Sequence, residues 1–224
     1  MNMGIMIDGK VHHIKPSQAI GKGGEADIYL LGNGQAVKIF KSPDHPDYQG
    51  MPQEQAAARD RLTLHQTKLP AFPKNLPERA IVPEALATEL NNGKIIGYSM
   101  KFLDGADMLC RFSDPNCRPS AIRNEAVKAV FLDLFQSVRG LHEKGVVIGD
   151  FNDLNVLVKN QTAWLIDTDS FQFKSFPCPV YTQRVLDPLV CADQQGILVP
   201  VRPHSEETDW YAFAVLLMES LLLV

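Results

Sequence analysis

Three residues near the middle of the chain, Asp150, Asn155 and Asp167, have the types and spacing for metal-assisted chemistry. Asp150 follows the apolar run Gly145-Val146-Val147-Ile148 and then Gly149. Asn155 opens a second apolar stretch that runs to Val158. A polar turn, Lys159-Asn160-Gln161-Thr162, separates it from Ala163-Trp164-Leu165-Ile166, which ends at Asp167. Two short apolar runs about a polar turn read as a β-hairpin. Folding that hairpin brings Asn155 and Asp167 to one end, with Asp150 nearby. Two oxygen ligands placed so suit a hard cation such as Mg²⁺, which keeps waters and draws its other ligands from phosphates. A separate carboxylate, Asp150, then orients a hydroxyl for in-line attack. Taken alone, the same residues also fit a surface hairpin with acidic ends, because Asp and Asn populate turns.

Such chemistry needs elements that hold phosphates. Residues 10 to 40 alternate like strands, and Ile20-Gly21-Lys22-Gly23-Gly24-Glu25-Ala26-Asp27-Ile28-Tyr29 puts a glycine-rich turn between two of them. A dinucleotide fold runs strand, turn, helix instead, so a Rossmann reading is disfavoured. Glycines let backbone N–H groups come close to phosphate oxygens. Gln35-Ala36-Val37-Lys38-Ile39-Phe40 is a strand with one lysine in an apolar run. The period of two turns Lys38 away from the face of Val37 and Ile39. Residues 41 to 50 read as loop, and good helix formers predict a helix from Pro52 to about Lys68. Ala80-Ile81-Val82-Pro83 and Ile95 to Gly105 read as strands, the second running into a connector. Ala126, Val130, Leu134, Val138 and Leu141 mark a buried helix from Ser120 to Lys144, with Ser120 as cap and Gly145 at its end. Within it, His142 is taken as structural. Residues 172 to 205 carry five prolines and little regular pattern, as a substrate-facing loop would. Thr208 to Leu217 opens a strongly apolar helix that includes Asp209.

The length of 224 residues suits one large or two small domains, and 45% hydrophobic residues suit a real core. The net charge of −4 argues against a general nucleic-acid-binding surface. Cys110, Cys117, Cys178 and Cys191 are scattered without a C-x-x-C pair, so they read as free thiols in a reducing cytosol. Asp8, Lys10 and two histidines interrupt any signal-peptide core at the N-terminus. The apolar run from Ala212 to Val224 is too short to span a bilayer and contains Glu219. The expectation is a cytoplasmic protein with no membrane partner.

The glycine turn, the Lys38 strand, the Asp150–Asn155 loop, Asp167 and the Asp209 helix stand in the order of the protein-kinase-like superfamily. There they resemble the V-A-I-K strand, H-R-D-x-x-x-x-N, D-F-G and the D-V-W-S-x-G-V-x-L helix. GKGGEADIY and GDFNDLN are similar to the loops of RIO kinases. GDFNDLNVLV with LIDTDSF also resembles bacterial serine/threonine kinases often fused to helix-hairpin-helix DNA-binding modules. The resemblance implies an α+β, bilobal protein-kinase-like fold forming one kinase-like domain over residues 1–224. Residues 1–103 would be a β-rich N-lobe, the hinge would lie at about 101–105, and 106–224 would be a mostly helical, shortened C-lobe. It implies ATP and Mg²⁺ as cofactors and phosphoryl transfer to a serine or threonine hydroxyl of a protein. Gly21, Gly23 and Gly24 would cover the phosphates, and Lys38 would hold the α- and β-phosphates, with Glu54 beside it. The backbone of Lys101, Phe102 and Leu103 would meet the adenine edge. Ile20, Ile28, Ala36 and Leu157 would be further cofactor-binding positions. Asp150 would act on the acceptor hydroxyl, and Asn155 and Asp167 would bind Mg²⁺. Asp209 would hydrogen-bond the backbone of the catalytic loop.

Several positions depart from the family pattern. Ala26 replaces the third loop glycine. Gly149 replaces the arginine before the catalytic aspartate, which argues against ordinary switching by activation-loop phosphorylation. Asn152 stands where most protein kinases carry a lysine on the γ-phosphate, a lysine that RIO kinases also lack. Asp169 replaces the D-F-G glycine, so either Asp167 or Asp169 is the principal metal ligand, the strand-end position favouring Asp167. No A-P-E segment is evident, and the late C-lobe helices are missing from the 224 residues. Two other readings therefore stand beside the kinase: a nucleotide-binding pseudokinase or conformational ATPase acting as a regulator, and a small-molecule kinase.

Overall fold

The computed structural model describes residues 3–114, 116, 118 and 122–223. The architecture is α+β, in two compact units. One holds the chain up to Phe72 together with Val82–Asp104; the other holds Pro73–Ile81 and the chain from Gly105 onward.

The first unit is a seven-stranded antiparallel sheet. Its strands are β1 (Met3–Ile7), β2 (Lys10–Ile14), β3 (Ala19–Lys22), β4 (Ala26–Gly32), β5 (Gln35–Phe40), β6 (Ala85–Glu89) and β7 (Ile95–Lys101), in the order β2-β1-β6-β7-β5-β4-β3. Helix α1 (Pro52–Lys68) packs with it. Side-chain alternation splits β5 between two apolar clusters. Val37 and Ile39 join Ile5, Ile7, Ile14 and Ala87, while Phe40 joins Ala26, Leu62, Leu69, Ile95 and Tyr98. Lys38 shares the face of Phe40, opposite Ile28 of β4 and Tyr98 of β7. It is only 6% exposed, with its ammonium 5.8 Å from the Phe40 ring centre. Helix α1 turns Ala58, Leu62, His65 and Lys68 inward at helical spacing, and the His65 ring lies 4.3 Å from that of Phe40.

The second unit begins with β8 (Asp107–Met108), α2 (Cys110–Ser113) and α3 (Asn124–His142). The expected cap, Ser120, lies outside the described residues, and α3 begins at Asn124. Val130, Leu134, Val138 and Leu141 are buried along it. Next come β9 (Val146–Val147), β10 (Val156–Lys159), β11 (Thr162–Leu165) and β12 (Gln172–Phe173), then β13 (Cys191–Gln194), β14 (Ile197–Pro200) and α4 (Glu206–Leu222). The helices α3 and α4 meet through Phe131 and Phe213, whose rings are 5.4 Å apart.

The β10–β11 hairpin pairs Val156 with Leu165 and Lys159 with Thr162. Asn160 and Gln161 form its turn, both left-handed at φ 51° and 61°, which matches the twist of two-residue hairpins. Residues 73–81 group with this unit rather than with the preceding sheet. The reason is backbone pairing: Leu165 N–H donates to Arg79 O and Ile81 N–H to Leu165 O, each at 2.8 Å. The β13–β14 hairpin falls in the stretch where the sequence suggested little regular structure. No helix among the described residues is long and apolar enough to cross a membrane.

Candidate functional site in the second unit

The loop that carries Asp150 is built on a buried carboxylate. Asp209, in the first turn of α4, is 0% exposed. Its Oδ2 accepts from Ile148 N–H at 2.8 Å and its Oδ1 from Gly149 N–H at 2.9 Å. His142 Nε2 lies 2.8 Å from Oδ2. The end of α3, the start of α4 and the loop are thereby tied at one point. Phe151, the next residue after Asp150, is fully buried.

Gly149 is required here. Its φ is +79°, and a Cβ on it would lie 2.6 Å from Cys178 Cβ and 2.7 Å from Cys178 Sγ. An arginine side chain at this position has no room. Gly149→Ala is expected to lower stability by about 2–5 kcal/mol, from about 1–2 for the left-handed backbone and about 1–3 for overpacking. Urea unfolding measures it, and a variant as stable as the wild type would contradict this packing.

Asp150 is held by its neighbours. Thr182 Oγ1 donates to Asp150 Oδ1 at 2.7 Å, and Asn155 Nδ2 donates to Asp150 Oδ2 at 3.2 Å and to Asp150 O at 3.0 Å. Both partners of the Asn155 amide are pure acceptors, so Nδ2 must face them and Oδ1 must face away. Asn152, 4% exposed, knits the loop together. Its Oδ1 accepts from Leu154 N–H and Asn155 N–H, and its Nδ2 donates to Asp150 O and Thr182 Oγ1. Thr182 was not singled out by its sequence context, which offers no local pattern. A second tie comes from Arg184, which donates to Asp153 of the loop and to Glu219 of α4. Burial works against the Arg184 charge, but the Glu219 hydrogen bond and the Asp153 and Glu219 carboxylates hold its pKa above the ordinary value.

The hairpin brings Asn155 and Asp167 to one end, since Ile166 N–H donates to Asn155 O at 3.0 Å. Asp167 follows in a left-handed conformation, φ 55° and ψ 34°, and opens the short turn Thr168–Ser170. It is half-buried, whereas Asp169 is buried. Thr168 fastens the turn by donating to Ile81 O at 2.9 Å. Leu157, half-buried in β10, lies opposite Trp164 and Met108.

Among the described residues no three His, Cys, Asp or Glu side chains converge as a metal cage. The donor set at the hairpin end, one amide oxygen and one carboxylate, instead fits a hard cation that takes its remaining ligands from water and phosphate. Burial, and next Asp153, pushes the Cys110 thiol up; burial, and next Asp187, does the same for Cys191. Thiols kept protonated are poor nucleophiles.

The first unit gathers Gly21, Ile28, Ala36 and Lys38 on β3, β4 and β5, with Ile20 exposed on β3. Gly23 and Gly24 form the turn between β3 and β4. Glu54 sits exposed in the first turn of α1, where a carboxylate suits the helix dipole. The buried residues of α1 are Ala58, Leu62, His65 and Lys68, all further along the helix. At the end of β7, Lys101 is exposed and Phe102 and Leu103 are half-buried. Phe102 N–H is already engaged, donating to Gly34 O at 2.7 Å.

Comparison with protein families finds no match to this chain, and comparison with curated proteins finds none either.

Proposed function

We propose that the chain is a protein-kinase-like phosphotransferase that uses ATP and Mg²⁺ to phosphorylate a serine or threonine hydroxyl of a protein. The observation that carries this reading is the Asp150 carboxylate. It is gripped by Asn155 Nδ2 and receives the Thr182 hydroxyl at 2.7 Å, on a loop buttressed by Asp209. A carboxylate that accepts one hydroxyl at hydrogen-bond range is suited to orient another and to take its proton. Asn155 Oδ1 and the Asp167 carboxylate are the oxygens for Mg²⁺. Asp167 is preferred to the buried Asp169 because a ligand shared with phosphates has to be reachable. The metal, when bound, neutralises phosphate charge. Lys38 and the glycine turn bind and orient the phosphates, and positioning supplies most of the rate. The scattered thiols favour a cytoplasmic setting.

Asn152 favours a second reading. Among the described residues its polar contacts lie within the loop or on Thr182. It thus offers nothing to a γ-phosphate, which suits a slow enzyme or a nucleotide-binding regulator. Transfer from labelled ATP to casein decides between them. Asp150→Asn is expected to cut transfer by about 10²–10⁴-fold while nucleotide binding persists. Transfer by the variant at the wild-type rate would contradict the role of Asp150. Binding without transfer in the wild type would leave the regulator.

A further inference from the structure

The glycine turn is gripped from behind by two side chains that phosphoryl transfer itself does not require. Lys41, one residue beyond β5, is 5% exposed. Its ammonium donates to Gly23 O at 2.6 Å and to Asp47 Oδ2 at 2.5 Å, and lies 3.8 Å from Asp27 Oδ1. Its backbone N–H donates to Glu25 O at 2.9 Å. Tyr48, also 5% exposed, donates its hydroxyl to Gly24 O at 2.6 Å. Three successive carbonyls, those of Gly23, Gly24 and Glu25, are thus drawn toward residues 41–48.

This has a consequence for the amides. The peptide bonds are trans, so the N–H after each carbonyl points the opposite way. With the Gly23 and Gly24 carbonyls turned inward, the N–H groups of Gly24 and Glu25 turn outward. Both residues are exposed, and neither N–H makes a hydrogen bond among the described residues. Successive outward N–H groups make an anion-binding concavity. A turn rich in glycine has many other conformations available, so something must select this one. We infer that Lys41 and Tyr48 are positioning residues that set the glycine turn to receive the phosphates of a nucleotide, with Asp47 steadying Lys41. The inference rests on the nucleotide reading above. The Lys41 ammonium is occupied by Gly23 O and Asp47, so it acts through the turn rather than on the ligand. The Lys41 hydrogen bond holds the Asp47 carboxyl below its ordinary range.

Calorimetric binding of ATP, and of adenosine by competition, tests the inference on wild type, Tyr48→Phe and Lys41→Met. Adenosine carries no phosphate, so a general loss of fold would weaken both ligands alike. Tyr48→Phe is expected to weaken ATP about three- to tenfold, the worth of one hydrogen bond, and to leave adenosine unchanged. Lys41→Met is expected to act in the same sense and more strongly. If it does not fold, Tyr48→Phe carries the test alone. Equal changes for the two ligands, or no change for ATP, would overturn the positioning role while sparing the nucleotide reading. A wild type that binds neither ligand would overturn both.

Discussion

Asp209→Ala is expected to remove about 3–5 kcal/mol of stability and to free the loop that carries Asp150. The carboxylate is fully buried and serves two backbone N–H groups and a histidine. Removing one partner from a buried charged cluster costs about 3–5 kcal/mol, because the remaining groups are left without water and without a partner. Each orphaned N–H contributes about 1–3 kcal/mol of that. Asp209→Asn keeps the volume but offers one acceptor in place of two, so it should fall between alanine and wild type. Urea unfolding gives the magnitude, and hydrogen exchange at the Ile148 and Gly149 amides gives the location. Loss of protection there, beyond the global change, is the expected signature. A loss under about 1 kcal/mol, with both amides still protected, would mean that the loop is held by something else.

Gly97→Ala is expected to be worse still, above about 4 kcal/mol, a range that few point substitutions reach. Gly97 sits in β7 between Ile39 of β5 and Ala87 of β6. A Cβ there would lie 2.0 Å from Lys38 O and 3.1 Å from Ile39 Cα. The obstacle is the backbone of the neighbouring strand, which no side-chain rotation relieves. The sheet must part beside Lys38, which the proposed function places on the phosphates. Circular dichroism and urea unfolding check this, and a variant within about 1 kcal/mol of wild type would contradict the close approach.

Elements whose cause is local were legible in the sequence. The run of good formers behind Pro52 marks α1, and alternation about a polar turn marks β10 and β11. The lysine strand also keeps its expected bounds, because one polar residue among apolar ones has a readable period. What escaped was set by long-range pairing. Residues 79–81 join the second unit through Leu165, far along the chain; Ala80 to Pro83 reads as a strand, but its partner is not written in its own composition. Thr182 reaches Asp150 across 32 positions from a stretch without period. The β13–β14 hairpin turns on Gln195-Gly196, and Cys191-Ala192-Asp193-Gln194 lacks the β-branched and aromatic residues that mark a strand. Glu54 falls in the first turn of α1, ahead of the buried Ala58, Leu62, His65 and Lys68, and the face that a helix end presents depends on where the helix starts. The role of Gly149 became visible only when Cys178 was found against it.

The most direct test of a metal-nucleotide site is thermal stability with ATP and Mg²⁺ together, with each alone, and with neither, for wild type and Asp167→Asn. A ligand that binds the folded state raises stability by mass action, about 2.7 kcal/mol at one hundred times its dissociation constant. The account predicts a rise in wild type that needs both ATP and Mg²⁺ and that Asp167→Asn loses. No rise in wild type, or an equal rise in the variant, would contradict it.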